Sequence, residues 1–135
     1  MNEHYHSIFR PDLYRGKVAV VSGGGSGIGR CIAHELAHLG AHVVLASRTE
    51  SKLESVRSEI EMDGGSASIH ACNIRNEEEV RALMSDTVTE FGGLHFLVNN
   101  AGGQFMSPPE AISLKGWNAV IETNLTGTFS MCKAA

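Results

Sequence analysis

Short apolar runs alternate with apolar stripes at helical spacing along this chain. Residues 17–21 form a β-branched run, followed by a glycine cluster and then by Ile28, Ile32, Leu36 and Leu39 at helical intervals. That order predicts strand, loop and helix. Gly40 supplies a helix stop, and residues 42–46 form the next buried-strand pattern. From Thr49 the period turns helical again, with Leu53, Val56 and Ile60 on one stripe, Ser51 and Glu54 spaced as a capping box, and Gly64-Gly65 at the end. Residues 66–72 read as a third strand. Asn76, with Glu79 three positions later, opens a helix whose Val80, Leu83, Met84, Val88 and Phe91 are expected to face inward before Gly92-Gly93. Residues 94–98 read as a fourth strand. After a loop rich in Gly and Pro at 99–109, Trp117, Val120, Ile121, Leu125, Thr128 and Cys132 predict a last helix.

Strands alternating with helices of ten to fifteen residues imply parallel pairing through right-handed crossovers, so a doubly wound α/β sheet is expected, with strand order 3-2-1-4. Residues 1–15 are read as an N-terminal arm and residues 16–135 as part of one such domain. Four strands are few for this architecture, and the last helix reaches Ala135 without Gly, Pro or another stop signal. The expectation is a truncated sheet whose fourth strand is an open edge.

Composition narrows the function classes. The chain is 42% apolar and 19% charged, which suits a soluble core-forming domain. Eleven Lys and Arg against fifteen Asp and Glu give a net charge of -4, with no basic footprint for nucleic acid or an anionic membrane. Cys31, Cys72 and Cys132 are an odd set at unrelated spacings, which suggests neither a disulfide framework nor a metal site. No signal peptide or membrane-length apolar run is visible, so a reducing, cytoplasmic setting is expected, with the peroxisome as the alternative.

The strongest chemical signal lies between the first strand and the first helix, where residues 22–29 read Ser-Gly-Gly-Gly-Ser-Gly-Ile-Gly. Glycines there permit a tight turn and let backbone N–H groups approach a phosphate at the helix N-terminus. The spacing of Gly23, Gly27 and Gly29 is G-x3-G-x-G, which is not the GxGxxG fingerprint. Arg30 follows Gly29 and no GK[ST] occurs, which disfavours a nucleotide triphosphatase.

Together with Asn99-Asn100-Ala101-Gly102 after the fourth strand and Asn124 further on, this loop resembles the N-terminal half of the short-chain dehydrogenase/reductases, which carry a Rossmann fold. Within that superfamily, residues 72–80, 102–105 and 116–133 are most similar to trans-2-enoyl-CoA reductases of peroxisomes and their bacterial relatives. The resemblance implies that Gly23, Ser26, Gly27, Ile28 and Gly29 hold the pyrophosphate and adenosine ribose of a nicotinamide dinucleotide. It also implies that Asn73 and Ile74 flank the adenine, and that Asn100, Ala101 and Gly102 border the ribose on the nicotinamide side. Ser22 stands where the family usually has threonine, and Asn73 where it usually has aspartate.

Cofactor choice follows from chemistry. Such folds select NAD with a carboxylate about twenty positions past the glycines, where it accepts from the ribose 2′-OH. That position here is Ser47, and Arg48 follows it with a guanidinium suited to bidentate phosphate contact. NADP(H) is therefore expected.

Asn124 falls four residues after Val120 on the apolar stripe of its helix, so a buried amide with hydrogen-bond partners is expected there. The resemblance makes it the asparagine that kinks this helix and holds a water of the proton relay. The same family carries a catalytic serine and a Tyr-x-x-x-Lys. Neither Tyr5 nor Tyr14 is followed by Lys four positions on, so that part of the machinery is expected beyond residue 135. The resemblance further implies a small-molecule substrate, an acyl-CoA or a lipid carbonyl, and a homo-oligomer in the full-length form. The leading expectation is reduction of a trans-2-enoyl-CoA at NADPH expense. One alternative is an alcohol or carbonyl dehydrogenase acting on a lipid or terpenoid; the other is a truncated nucleotide-binding module without catalysis.

Residues 34–38 spell HExxH, the zincin signature on a helix. The longer metzincin pattern fails, because Ala41 and Val44 stand at its Gly and third His. His34 and His38 fall off the stripe of Ile28, Ile32 and Leu36, so both are expected to face solvent and no metal site is expected.

Overall fold

A computed structural model describes residues 7–135; the first six residues of the expected arm lie outside the described residues. Four strands, β1 (Val18–Ser22), β2 (His42–Ser47), β3 (Ser66–Ala71) and β4 (Phe96–Asn99), form one sheet in the order β3-β2-β1-β4. Every pairing is parallel, with Val20 of β1 opposite Val44 of β2 and Leu97 of β4. The expected order therefore holds, with strand ends moved by one or two residues.

Alternation along the strands sends successive side chains to opposite faces, and each face has its own core. Val18 and Val20 join Val44, Ala46, Val80, Leu83, Met84 and Met131 on one side; Val21 joins Val43, Leu45, Leu53, Val56 and Ile60 on the other. The first core lies under α3 (Glu77–Phe91) and α5 (Thr128–Ala134), the second under α1 (Gly27–His38) and α2 (Glu50–Met62). Helices on both faces make the sheet doubly wound, and β1 is buried at all five positions.

Several helix faces differ from the periodic expectation. The inward face of α1 is Gly29, Ala33, His34 and Ala37, small residues that let the helix sit close to the sheet, while Ile32 and Leu36 flank it. Ile28, in the first turn, is 74% exposed. His34 is buried rather than solvent-facing, with Nε2 3.0 Å from Glu59 Oε2, so it ties α1 to α2. In α3 it is Thr87 that is buried, its hydroxyl donating to the Leu83 carbonyl (2.7 Å), whereas Val88 is exposed. The capping box expected at Ser51 and Glu54 is not formed: Thr49 is the N-cap of α2, and Glu54 pairs with Arg57. At α3 the expected helix start is present, since Asn76 Oδ1 caps it by accepting from the N–H groups of Glu78 (3.0 Å) and Glu79 (3.4 Å).

The last helix is not continuous. α4 (Leu114–Ile121) leads into a π-helical turn, Glu122–Gly127, before α5. Two side chains explain the turn: Thr123 Oγ1 donates to the Ala119 carbonyl (2.8 Å) and Asn124 Nδ2 to that of Val120 (2.9 Å). Such donors compete with the i→i−4 backbone ladder, and an inserted π-turn accommodates them. The turn rotates the expected stripe off the core. Leu125 and Cys132 are exposed, and Met131 is buried instead; Trp117, which precedes the turn, is exposed too. Asn124 is also exposed, contrary to the buried amide expected.

Candidate functional site

The site begins where β1 ends. Ser22 is buried, and its hydroxyl donates to the Val98 carbonyl (3.2 Å) and accepts from the N–H groups of Asn100 (3.1 Å) and Ala101 (3.0 Å). Asn100 returns the tie, its side-chain amide donating to the carbonyls of Ser22 (3.0 Å) and Gly23 (3.4 Å). The loops after β1 and β4 are thereby fastened to each other. This is the work of the serine at the family's threonine position: it keeps the hydroxyl that both loops use.

Two glycines of the loop serve different ends. A Cβ on Gly29 would lie 2.3 Å from the Gly23 carbonyl oxygen, so only glycine lets α1 come this close to the strand end. Gly27 has φ +54 with nothing within 4 Å of the place its Cβ would take, which leaves open space at the start of α1. Ser26 is its N-cap with no side-chain capping bond, and its first turn holds no acidic residue. In α3, by contrast, Asn76 caps and Glu77, Glu78 and Glu79 fill the first turn. The first N–H groups of α1 and its positive dipole end thus face outward, as anion-binding helix termini do.

In front of this helix lies a cavity of about 310 Å³ at the carboxyl ends of the strands, where doubly wound sheets bind ligands. Its walls come from five segments. Gly23, Gly25 and Ser26 form the glycine-loop side; Ser47, Arg48 and Thr49 follow β2; Cys72 to Arg75 follow β3; Ala101 to Gly103 follow β4; and Thr123 comes from the π-turn. Of the residues singled out from sequence, Ser26, Ser47, Arg48, Asn73, Ile74, Ala101 and Gly102 therefore share one cavity with Gly23. Gly27, Ile28, Gly29 and Asn100 do not line it: Gly29 and Asn100 support the loop from behind.

The sequence reading missed Lys52, in the first turn of α2 and on the cavity wall. The signal was present: Lys52 is four residues past Arg48, just beyond the turn that carries it. Among the described residues no Asp or Glu lines the cavity, while Arg48, Lys52 and Arg75 do. Arg75 is engaged by Glu122. Arg48 and Lys52 form no ion pair among the described residues, so two positive charges stand over the cavity beside Ser47.

In the loop after β3, Cys72 is buried, and its thiol is pushed up to about 11 by burial and then by the nearby Glu79 carboxylate. Glu79 also accepts from the Asn73 N–H (2.7 Å) and from Asn76 Nδ2 (2.9 Å), which fixes the loop after β3. On the opposite side, Asn124 grips Gly103 twice: Nδ2 donates to its carbonyl (2.6 Å), and Oδ1 accepts from its N–H (3.1 Å). Asn124 does not line the cavity itself; it holds a loop that does.

Around the HExxH helix, His34 is taken up by Glu59, with Asp63 Oδ2 3.8 Å from its Nδ1. Glu59 is also bound by Arg30 (2.6 Å). Burial tends to raise the Glu59 carboxyl, but the hydrogen bonds from Arg30 and His34 outweigh it and hold the group below the usual carboxylate value. Among the described residues, no helix is long and apolar enough to cross a membrane.

Comparison with known proteins agrees with this geometry. The chain is 36% identical over 119 residues to a probable 2,4-dienoyl-CoA reductase of Bacillus subtilis (strain 168), an alignment that takes in 88% of this chain and 47% of the relative. Among solved structures, the citronellol catabolism dehydrogenase of Pseudomonas aeruginosa PAO1 is 55% identical with a TM-score of 0.91, covering 96% of this chain and 53% of that one. A metagenomic short-chain oxidoreductase in complex with NADP is 39% identical with a TM-score of 0.85, over 91% of this chain and 56% of that one. The chain spans about half the length of the relatives it matches. The family model for short chain dehydrogenase covers residues 17–135, from the residue before β1 to the end of α5, and by that match this chain belongs to the short-chain dehydrogenase/reductase family.

Proposed function

We propose that the cavity holds NADP(H) and that the protein is an NADP(H)-dependent oxidoreductase. The observation that carries this reading is the charge of the cavity. In a chain with more acids than bases, no acid among the described residues lines it, and Arg48 and Lys52 stand beside Ser47 where an NAD-selecting fold places a carboxylate. When bound, the nicotinamide ring of such a cofactor gives or takes a hydride. The residues have separate tasks around it. The free N-terminus of α1, with Ser26, receives the pyrophosphate, and Asn73 and Ile74 flank the adenine. Arg48 and Lys52 bind the ribose 2′-phosphate, and Ala101 and Gly102 border the second ribose. The relative solved with NADP supports this choice.

Titration of NADPH and NADH into Arg48→Ala, in a folded protein that carries this chain, tests the assignment. Losing a charge-assisted phosphate contact costs about 1.5 to 3 kcal/mol, roughly ten- to hundredfold in NADPH affinity. NADH binding stays at the wild-type level. Equal loss for both nucleotides defeats the assignment.

Two substrate readings each have a specific support. Reduction of an enoyl-CoA or dienoyl-CoA is supported by the Bacillus subtilis relative, with Gln104 and Phe105 on the loop that borders the acyl site. Oxidation of an acyclic terpenoid alcohol, or reduction of its carbonyl, is supported by the 55% identity to the citronellol catabolism dehydrogenase. Turnover of a trans-2-enoyl-CoA, a 2,4-dienoyl-CoA and citronellol separates them, assayed in a protein that joins this chain to the family's Tyr-x-x-x-Lys region.

A further inference from the structure

The two sides of the cavity are joined by contacts outside it. The loop after β3, whose Asn73 and Ile74 form the adenine-side wall, reaches across to the π-turn that carries Asn124. Arg75 pairs with Glu122, the first residue of that turn. At the turn's other end, Gly127 is buried against Ile74: a Cβ there would lie 2.9 Å from both Ile74 Cδ1 and Cγ1 and 3.2 Å from its carbonyl oxygen. Gly127 has ordinary helical φ of -61, so the glycine is required by this close approach and not by its backbone conformation. The same turn presents Asn124 to both backbone groups of Gly103, on the opposite wall.

We propose that Gly127 and the Arg75–Glu122 pair are positioning residues that couple the adenine-side wall to the loop held by Asn124, so that binding of the adenosine end of the nucleotide orders Gly103 on the far side. The proposal rests on the reading of the cavity as a dinucleotide site. Its physical basis is contiguity. Ile74 cannot shift toward α5 without striking Gly127, and the π-turn cannot shift without moving the partner of Arg75. Coupling of this kind is reciprocal, so whatever displaces the π-turn weakens adenosine binding. Arg75 lines the cavity but Gly127 and Glu122 do not, so the coupling is read through those two.

The test uses 2′,5′-ADP, which carries the adenosine end and lacks nicotinamide. Its affinity is measured by calorimetry, and the amide exchange of residues 101–105 is followed by mass spectrometry with and without it. In wild type, 2′,5′-ADP binds and slows exchange over 101–105. Gly127→Ala pushes Ile74 into the cavity, lowers affinity at least about fivefold, and abolishes the slowing. Should that variant fold poorly, Glu122 provides an independent arm outside the cavity: Glu122→Gln and Glu122→Ala each weaken 2′,5′-ADP binding about two- to fivefold and reduce the slowing of exchange over 101–105. If 2′,5′-ADP fails to bind wild type, the dinucleotide reading itself falls. Binding in wild type with unchanged exchange over 101–105, or with full affinity in Gly127→Ala and both Glu122 variants, overturns the coupling alone.

Discussion

Gly29 shows how little freedom the site leaves to single residues. The obstacle to any side chain there is a backbone carbonyl, which has no rotamer with which to retreat. Gly29→Ala is expected to destabilise the fold by about 1–3 kcal/mol and to abolish nucleotide binding, as read by urea unfolding and calorimetry. A variant of wild-type stability would mean that α1 can slide along the sheet. Cys72 carries a second prediction. With its thiol near 11 and its side chain buried, it should resist a disulfide reagent at neutral pH, while the exposed Cys31 and Cys132 react. Peptide mapping that finds native Cys72 labelled as fast as those two would contradict its placement. Individual residues were unevenly legible in the sequence. Glycine spacing located the loop, yet not which glycine faces a ligand and which packs against a carbonyl, because that division depends on where the β4 loop passes. Lys52 escaped notice because a lysine in a helix's first turn reads as a solvated charge until the end of β2 is seen beside it.

Among the elements, the strands were read well and the helices less so. Buried parallel strands are apolar on both faces and bounded by turns, which a linear pattern captures. A helix shows only that one face is apolar. For α1 the large residues drew attention, but the sheet takes the small ones, since close packing favours Ala33 and Ala37 over Ile28. The π-turn was invisible to a fixed 3.6 period, because two hydrogen bonds from Thr123 and Asn124 shift the register of everything after them. At β2, His42 lies between elements, its ring stacked on Phe91 at 4.0 Å and its nitrogens at the hydroxyls of Ser66 (2.7 Å) and Ser68 (3.0 Å). Burial pushes the imidazole below its ordinary 6.5, with Glu90 opposing. The unfolded chain therefore takes this proton first as pH falls, so His42 contributes stability above about 6.5 that is lost below it, until the lowered native value is reached. Melts at pH 8 and pH 5.5 should show a smaller pH-dependent loss for His42→Gln than for wild type; an equal or larger loss would contradict the sign. Asn76→Ala should remove the α3 cap at a cost of about 0.5–2 kcal/mol and free the Glu79 carboxylate that holds Asn73.

At the scale of the molecule, the described sheet has a buried centre and two edge strands, β3 and β4, and the apolar surface beside β4 lies open. Among the described residues β4 pairs only with β1, and the α4 to α5 stretch exposes Leu114, Trp117, Leu125 and Phe129. Edges and faces of this kind are normally covered. A polypeptide of these 135 residues alone should therefore self-associate, and light scattering that finds a cooperatively unfolding monomer would contradict that expectation. Selection of a 2′-phosphorylated dinucleotide by the cavity in front of α1 is tested most simply by direct titration of NADPH and NADH into the same wild-type protein. Among the described residues, two cations without an ion pair beside Ser47 and no acid on the wall predict that NADPH binds at least about tenfold more tightly than NADH, with the advantage shrinking as salt is raised. Equal affinity for the two, or tighter binding of NADH, would contradict it.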